Sequence, residues 1–358
     1  MAAKRTTQTK NKPATLADIA AIAGVAPMTA SRALNASGYV SEDVRKRVQQ
    51  AADTLKYSPN KLARQLRGSR LLAIGILLPD LANPFFAEIV KCMTPLLREA
   101  GYTVFVAMAG SEDEEAATRS FIDHRIDGLV VTTHGTREGN AMLKGIAAQG
   151  TPVVMIGRPT PLPNIDLVTS DFYQGAYDAV SHLIALGHSR IGFLGAASGT
   201  NPTLRRFEGY AAALRAAGIT PDPSYAVDAA AGLAFSTEED GFTGLMKLHE
   251  LAEPPTAIFA RNDYTAIGAL RAAHTLGLAV PQNLAIVGFD NIPLAAFQTP
   301  PLTTVEQPIA ELARVAAELL LKRMEDAPRR PRQTVELACR LVVRDSTDPA
   351  RAAQRRVI

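Results

Sequence analysis

The sequence predicts an all-α head over residues 1–70, followed by a doubly wound α/β core that forms two lobes. Three observations support this fold class. Apolar residues recur at helical spacing through the head. From Leu71 onward, short apolar runs alternate with segments of helical length, which is typical of buried parallel strands and their crossover helices. Positive charge is concentrated in the head.

Composition sets the broad class of protein. The chain has 358 residues, of which 47% are hydrophobic and 20% are charged, so it can bury a large core and form two or three domains. No apolar run approaches the roughly 20 residues of a membrane span. The N-terminus, MAAKRTTQTKNKP, has no apolar signal-peptide core. We therefore expect a soluble, cytoplasmic protein.

Segment 15–35, TLADIAAIAGVAPMTASRALN, predicts two short helices joined by a tight turn. The Thr15 hydroxyl can cap the first helix, Gly24 supplies the turn, and Pro27 suits the first position of the second helix. The second helix then carries side chains of the types that reach base edges and phosphates: Met28, Thr29, Ser31, Arg32 and Asn35. An ordinary helical hairpin is the alternative, because small-residue turns also join such helices.

Charge favours DNA binding over the plain hairpin. Residues 1–70 contain 13 lysines and arginines against four acidic residues, a net charge of +9, whereas the whole chain carries only +3. Such asymmetry is typical of a nucleic-acid-binding module on an otherwise near-neutral protein. A third helix from Ser41 closes a small core. Segment 61–68, KLARQLRG, has helical composition but is too short to be a stable helix alone, so we expect it to fold against a partner.

The rest of the chain predicts repeated strand-then-helix units. Apolar runs predicted as strands are 71–78, 103–108, 128–132, 153–156, 191–194, 257–259 and 285–288. Segments predicted as helices include 85–100, 114–125, 173–186, 204–217, 264–276 and 309–324. Such repetition indicates doubly wound α/β structure, in which ligands bind beyond the carboxyl ends of the strands.

Polar side chains cluster at six strand ends, those of five of these runs and that of a further run at 303–306. They are Asp80 and Asn83 with Phe85 and Phe86, then Arg158, Arg205 with Arg206, Asn262 with Asp263, Asp290 with Asn291, and Gln307. Any one of them could be an ordinary helix cap or loop residue. As a set, with two aromatic rings available for stacking, they predict a polar small-molecule cleft.

Catalytic motifs are not found in the sequence. It has no G-x-G-x-x-G after the first strand, no phosphate-binding P-loop and no complete nucleophile elbow, and its six histidines lack metal-site spacing. Cys92 and Cys339 are predicted to be buried free thiols. We expect no catalytic residues, no cofactor and no metal. An α/β enzyme and an exported solute-binding protein are the alternatives of another class, although neither explains the basic head.

Several segments resemble the lactose/galactose repressor family of bacterial transcription regulators along essentially the whole chain. They are TLADIAAIAGVAPMTASRALN, YSPNKLARQLRG, NPFF, ALGHSRIGFLG, RRFEGY, FARNDYTAIGAL, VGFDN and TTVEQP. The resemblance implies a homodimeric, allosteric repressor of carbohydrate-metabolism genes without catalytic activity. Its lobes would look like a periplasmic sugar-binding protein, and its partners would be double-stranded operator DNA and a small-molecule effector.

The resemblance also assigns the DNA-binding residues. The recognition helix would enter the major groove through Pro27, Met28 and Arg32. Phosphates would be held by Thr15, Leu16, Thr29, Ser31, Asn35 and Asn60. Residues 61–69 correspond to the family's hinge helix, where Ala63 and Leu66 complete the DNA-binding set and Leu66 would wedge into the minor groove.

For the effector, the resemblance places eight residues around the cleft: Asn83, Phe85, Phe86, Arg158, Arg206, Asn262, Asp290 and Gln307. Relatives that bind sugars often have Asp where this chain has Gly157. A missing carboxylate beside two arginines favours an anion, either a sugar acid or a sugar phosphate, and we expect an anionic sugar derivative such as a hexonate, acting as inducer. Alternatively Asp171 or Asp80 supplies the acceptor, which leaves neutral sugars and purines open as effectors.

The expected domain organisation follows from these assignments. It comprises a basic tail (1–14), the helix-turn-helix head (15–60), the hinge helix (61–69), an effector-binding core (70–345) and a C-terminal tail (346–358). Within the core, the N-lobe would take about 70–169 and 308–335, and the C-lobe about 170–307 and 336–345. The chain end lacks leucine heptads, so we expect a dimer and not a tetramer.

Overall fold

The computed structural model describes residues 14–34, 38–55, 57, 71–109, 113–132, 137–158, 162, 164–195, 201–228, 237–326 and 331–348. The chain divides into two units, residues 1–71 and residues 72–358.

The described residues of the first unit form three helices: α1 (Leu16–Ala23), α2 (Pro27–Leu34) and α3 (Glu42–Thr54). Thr15 and Asp18 form a reciprocal capping box at the start of α1, and Gly24 ends that helix at φ +66°, a left-handed conformation that favours glycine. Ile19, Val48 and neighbouring alanines fill the core between the helices. The predicted cap, turn and start of α2 are confirmed.

The second unit is an α/β structure whose elements run in chain order. They are β1 (Ala73–Leu78), α4 (Pro84–Glu99), β2 (Thr103–Met108), α5 (Glu114–Asp123), β3 (Gly128–Val131), α6 (Arg137–Ala148), β4 (Val153–Ile156), β5 (Asp166–Ser170), α7 (Phe172–Ala185), β6 (Ile191–Leu194), α8 (Asn201–Ala216), β7 (Ala226–Val227), α9 (Glu238–His249), β8 (Ala257–Ala260), α10 (Asp263–Thr275), β9 (Ala285–Asp290), β10 (Thr303–Glu306), α11 (Ile309–Asp326), β11 (Thr334–Leu337) and β12 (Arg340–Val342), with 3-10 turns at Pro223–Tyr225 and Pro293–Phe297.

The first lobe is built on a six-stranded parallel sheet in the order β11-β5-β4-β3-β1-β2. Helices α4 and α11 cover one face, where Ile89 and Leu320 pack against strand residues such as Ile76. Phe121 of α5 lies against Gly75 of β1 on the other face. Strands buried on both faces become continuous apolar runs, which explains why β1 was recognisable in the sequence.

The second lobe repeats this plan with the order β12-β10-β9-β8-β6-β7, in which only the β10–β12 pair is antiparallel. Successive residues of a strand point to opposite faces, so Phe259 packs with α7 and α8 while Ile258 packs with α9 and α10. Two sheets, each between helices, confirm the predicted two-lobed, doubly wound core.

The chain passes between the lobes at three points: between β5 and α7, between β10 and α11, and between β11 and β12. The tail assigned to 346–358 begins too early. Ser346 and Thr347 are buried in the second lobe, where Ser346 bonds to the backbone of Ile286 and Thr303. Polar side chains in a short segment gave no sign of this burial.

Several elements were not predicted, among them helices α6 and α9 and strands β5, β7, β11 and β12. Most of these strands are short or lie at a sheet edge, so their apolar pattern is weak. Cys92 and Cys339 are free, as expected, but half-buried and not fully buried. None of the helices in the described part of the chain has the length and apolar character that a bilayer crossing needs.

Candidate functional site

The head presents one face of α2 to solvent. Pro27, Met28 and Arg32 are exposed, and 64% of Met28 is accessible, while Ala30 and Ala33 on the opposite face are buried in the core. The remaining predicted contacts on described residues lie beside this face: Thr29 and Ser31 are half-buried on α2, Thr15 is exposed at the start of α1, and Leu16 is half-buried next to it. An exposed polar helix on a small, basic domain is suited to insertion into the major groove.

Four predicted DNA contacts, Asn35, Asn60, Ala63 and Leu66, lie outside the described residues, as does the whole hinge helix 61–69. One further exposed residue of the head was not among the DNA contacts predicted from the sequence. Tyr39, between α2 and α3, is 95% accessible, and a hydroxyl on an exposed aromatic ring can reach a phosphate. Its position outside the helical pattern gave no signal in the sequence.

Three candidate effector residues follow three adjacent strands of the second lobe. Gln307 comes just after β10, Asp290 ends β9, and Asn262 lies two residues after β8. All three are less than 10% exposed. Because neighbouring strands are about 4.8 Å apart, these side chains form a row of hydrogen-bonding groups along one sheet edge.

Arg206 completes this row from helix α8. Its guanidinium lies over the rings of both Phe172 and Phe289, with Cζ 4.6 Å and 4.2 Å from the ring centroids, and Nη2 is 3.4 Å from Asp290 Oδ1. Gln307 Nε2 donates to the same Asp290 oxygen at 2.6 Å. Cation–π contacts and the ion pair thus hold a buried guanidinium in place. The two phenylalanines had not been singled out in the sequence.

Ser170 extends the network at the crossing between the lobes. Its Oγ donates to Gln307 Oε1 at 2.7 Å. Arg206 Nε is buried and has no hydrogen-bond partner within the described part of the chain. This N–H is therefore a donor that a ligand can satisfy, and leaving it unpaired costs about 1–3 kcal/mol.

Burial dominates the electrostatics of the network. It raises the pKa of Asp290 to about 6, although the Arg206 charge and the Gln307 hydrogen bond act in the opposite direction. Burial also lowers the pKa of Arg206, and Asp290 partly offsets that effect. Asp290 can therefore gain or lose a proton near neutral pH, and it accepts hydrogen bonds best when ionised.

The backbone at this point is held in an unusual conformation. Asp290 has φ +113° and Asn291 has φ +55°, values that side chains other than glycine rarely adopt. Asp263 accepts hydrogen bonds from the Ile292 amide at 2.8 Å and from Thr304 Oγ1 at 2.5 Å, and so fixes the segment that follows. Arg344 Nη2 donates to Asn291 Oδ1 at 2.7 Å. Asp263 thus has a structural role: its hydrogen bonds, together with that of Arg344, hold the backbone next to Asp290 in this conformation.

The first lobe contributes Asn83, Phe85 and Phe86 at the start of α4. Asn83 caps this helix by accepting from the Phe85 amide at 3.0 Å, and the two rings meet edge to face at 5.2 Å. Phe85 packs against the apolar cores of both lobes, and Tyr264 Oη of the second lobe donates to the Ala82 carbonyl at 2.5 Å. This segment therefore lies at the boundary between the lobes.

Arg158 interacts with its own lobe. Its Nη2 donates to Asn140 Oδ1 at 3.0 Å, burial lowers its pKa, and the nearby buried Glu114 raises it. Gly157 has φ +86°, so this backbone favours glycine and an aspartate side chain would be strained here.

The two alternative acceptors both serve local backbone amides: Asp171 accepts from Gln174 at 2.9 Å and Asp80 from Ala82 at 2.8 Å. The structure thus connects Arg206, Asp290 and Gln307 directly and gives Arg158 partners on the first lobe. No group of three potential metal ligands is present among the residues described.

Comparison with known proteins agrees with the division of the chain into a helical head and a two-lobed core. The model of the bacterial regulatory proteins of the lacI family matches residues 15–60, and a periplasmic binding protein-like domain matches residues 180–347. The HTH-type transcriptional regulator DegA of Bacillus subtilis is 34% identical over 340 residues, which are 94% of this chain and 98% of DegA.

Two solved structures show the same fold. A Lac repressor dimer bound to operator and the anti-inducer ONPF has a TM-score of 0.81 at 28% identity, covering 94% of this chain and 99% of that chain. A complex of the transcriptional regulator CelR with cellobiose has a TM-score of 0.70 at 28% identity, covering 93% and 99%. The matched head, the two-lobed core and the full-length relatives agree with the predicted resemblance: the chain belongs to the lacI family and is a DNA-binding transcriptional repressor with an effector-binding core.

Proposed function

We propose that this repressor is released from its operator by a sugar or sugar derivative bound between its lobes. The network of Arg206, Asp290 and Gln307 carries the proposal. It offers a fixed donor, a fixed acceptor and an amide in one row, with an unpaired Arg206 N–H among the described residues. Adjacent hydroxyls of a sugar both donate and accept, so they match such a row. The CelR–cellobiose complex supports this class of effector.

Charge balance favours a neutral sugar over the hexonate expected from two arginines. Arg206 forms an ion pair with Asp290, and the negative charge of the buried Glu114 acts on Arg158 and raises its pKa. Each positive charge therefore has a negative one nearby, which weakens the attraction for an anion. A hexonate is the second candidate, because Gly157 adds no carboxylate next to Arg158.

Coupling to DNA would pass through the relation between the lobes. Phe85 and Tyr264 lie at their boundary, so a ligand that changes the angle between the lobes must displace these contacts. Such a ligand favours one closure angle over another. We propose that the spacing of the hinge segments in a homodimer follows that angle and that the effector acts as inducer.

The remaining assignments follow the family. The relatives are transcriptional regulators, and we propose that this chain likewise acts without catalysis, in the cytoplasm and as a homodimer. The DNA-contact residues given above are part of the same proposal, and so are the domain boundaries, with Ser346 and Thr347 moved from the tail into the core.

The test measures operator release. Operator DNA is first selected in vitro with the full-length protein, and its dissociation constant is then measured with neutral sugars, hexonates and purines. One compound should weaken operator binding by about 5- to 150-fold, the usual range of allosteric coupling. Operator binding that no compound changes would contradict effector control. Tighter binding would make the effector a co-repressor and contradict induction.

Variants locate the response in the cleft. Arg206→Lys keeps a positive charge beside Asp290 but removes the planar fork, so the response should disappear while operator affinity stays within twofold. Arg205→Gln is the matched control, because Arg205 is the neighbouring, half-exposed arginine paired with Glu208. It should respond like the wild type. A normal response in Arg206→Lys would remove Arg206 from the site.

A further inference from the structure

Each of the three crossings between the lobes brings one side chain to the Arg206 network. Ser170 is the last residue of β5 at the first crossing, Gln307 follows β10 at the second, and Cys339 directly precedes β12 at the third. Gln307 belongs to the candidate effector set, and Ser170 donates to it at 2.7 Å. The thiol of Cys339 was not part of that set.

Cys339 reaches the network although it lies on a different crossing. Ser170 is a hydrogen-bond partner of its Sγ, and the charges of Arg206 and Asp290 act on the thiol. Cys339 in turn acts on the Arg206 guanidinium. Gly175 of α7 permits this approach, because a Cβ at that position would lie only 3.1 Å from Cys339 Cβ. The third crossing therefore packs directly against α7 beside the effector network.

The hydrogen bonds of Ser170 define the direction in which the thiol bonds. Ser170 Oγ carries one hydrogen, which it donates to Gln307 Oε1. Towards Cys339 this hydroxyl can therefore only accept, so the thiol, a weak donor, must donate. Burial supports this direction, because it raises the pKa of the Cys339 thiol to about 12 and so keeps the thiol protonated at neutral pH. The donors then run from Cys339 through Ser170 and Gln307 to Asp290.

This chain of hydrogen bonds fixes the orientation of the Gln307 amide. Its oxygen accepts from Ser170 and its nitrogen donates to Asp290 Oδ1, so a reversed amide would turn its oxygen towards a carboxylate. Arg206 Nη2 contacts the same Oδ1 at 3.4 Å. Neither contact uses Asp290 Oδ2, which can accept from an effector hydroxyl. Arg206 Nε, buried without a partner in the described part of the chain, offers a matching donor.

We propose that Cys339 is a positioning residue of the effector site, whose thiol donates to Ser170 and so helps to hold the Gln307 amide against Asp290. The inference rests on the proposed function, and it adds the third crossing to the site. Cys339 acts through Ser170 and not on the effector itself. Without the thiol, the Ser170 hydroxyl can rotate away from Gln307, and the acceptor that the effector meets is less well fixed.

Infrared spectroscopy tests the hydrogen bond itself. The chain has two cysteines, so Cys92→Ser leaves Cys339 as the source of the S–H stretching band. An S–H group that donates a hydrogen bond absorbs at a lower frequency than one that does not. In the full-length protein, adding Ser170→Ala should therefore move the band to a higher frequency. A band that Ser170→Ala leaves in place would overturn the proposal, because the thiol would then not donate to Ser170.

Calorimetry tests the effect on the site. The titrant is the compound that releases the operator in the panel of neutral sugars, hexonates and purines. Cys339→Ala removes the donor and should weaken binding to the full-length protein about two- to tenfold, the range expected for one lost neutral hydrogen bond. Cys339→Ser keeps a donor and should restore the affinity to within about twofold of the wild type. Cys92→Ala is the matched control, because that thiol packs against the first-lobe core, and it should keep the wild-type affinity.

The other outcomes contradict the proposal. Wild-type affinity in Cys339→Ala would show that the thiol does not position the site. An equal loss in Cys339→Ala and Cys339→Ser would assign the effect to the packing of the sulfur atom and not to its hydrogen bond. If no compound of the panel binds, the proposed function fails and the role of Cys339 in an effector site fails with it, while the infrared comparison still decides whether the thiol donates to Ser170.

Discussion

At the scale of single residues, Asp290 links the conformation of the second lobe to its chemistry. It is buried, has φ +113° and accepts from both Arg206 and Gln307. Burial disfavours the ionised form of the Asp290 side chain and raises its pKa to about 6. Folded protein therefore retains a proton at Asp290 over a pH range in which the unfolded chain, with an ordinary pKa near 4, has lost it.

We expect this proton to appear in the pH dependence of stability. Between pH 4 and 7 the native state binds more protons at Asp290 than the unfolded state does, so its contribution to the free energy of unfolding falls as pH rises. At about 1.4 kcal/mol per pKa unit, the stability of the wild type relative to Asp290→Asn should decrease by on the order of 3 kcal/mol over this range. Urea denaturation of both proteins at several pH values measures the difference. Parallel profiles would show that Asp290 has no raised pKa.

At the scale of elements, the ends of helices position the functional surfaces. In the head, α1 begins with a reciprocal capping box: Asp18 Oδ2 accepts from the Thr15 amide at 2.7 Å, and Thr15 Oγ1 accepts from the Asp18 amide at 3.3 Å. Helix α3 begins with a weaker cap, in which Ser41 Oγ accepts from the Val44 amide at 3.5 Å. The fixed start of α1 supports the turn that presents α2.

The two caps should differ in their effect on the head. Thr15→Ala removes both hydrogen bonds of Thr15 Oγ1, the one accepted from the Asp18 amide and the one donated to Asp18 Oδ2. It should lower the stability of the head by about 1 kcal/mol, the usual cost of losing an N-cap. Ser41→Ala should cost less, because its single bond is long. Native-state hydrogen exchange of amides in α1 and α3 reports the stability of the head alone. A larger loss in Ser41→Ala than in Thr15→Ala would contradict this ranking.

At the scale of the whole molecule, exposed apolar residues mark a surface for a second subunit. Strand β2 is the edge of the first sheet, and 51% of Phe105 and 57% of Met108 are accessible. In the second lobe, Phe297 is 81% accessible. An apolar edge strand exposed to water is unfavourable, so we expect the dimer to cover β2.

A charge on this strand should weaken the dimer. Phe105→Lys places an ammonium in an apolar interface and should raise the dimer dissociation constant at least tenfold, as measured by analytical ultracentrifugation. Leu186→Lys is the control, because Leu186 is 42% accessible but lies at the end of α7, away from the edge strand. A dimer as tight in Phe105→Lys as in the wild type would exclude β2 from the interface.

The sequence by itself determined the helix-turn-helix head, the two doubly wound lobes and the strand ends at which polar residues gather. These features depend on local rules: Thr15 and Gly24 delimit a helix, and a strand buried on both faces, such as β1, is a continuous apolar run. Residues close in the chain carry that information, so no knowledge of long-range contacts is needed.

Only the tertiary structure decided how the candidate residues combine. Arg206 and Asp290 lie 84 positions apart in the chain, yet they form an ion pair, and Ser170 reaches Gln307 across 137 positions. Arg158, which the resemblance places on the first-lobe side of the cleft, donates to Asn140 of that lobe, 18 positions away in the chain. Strand order and crossover packing place these side chains together, and both arise from burial of apolar surface over the whole chain, which no local pattern specifies.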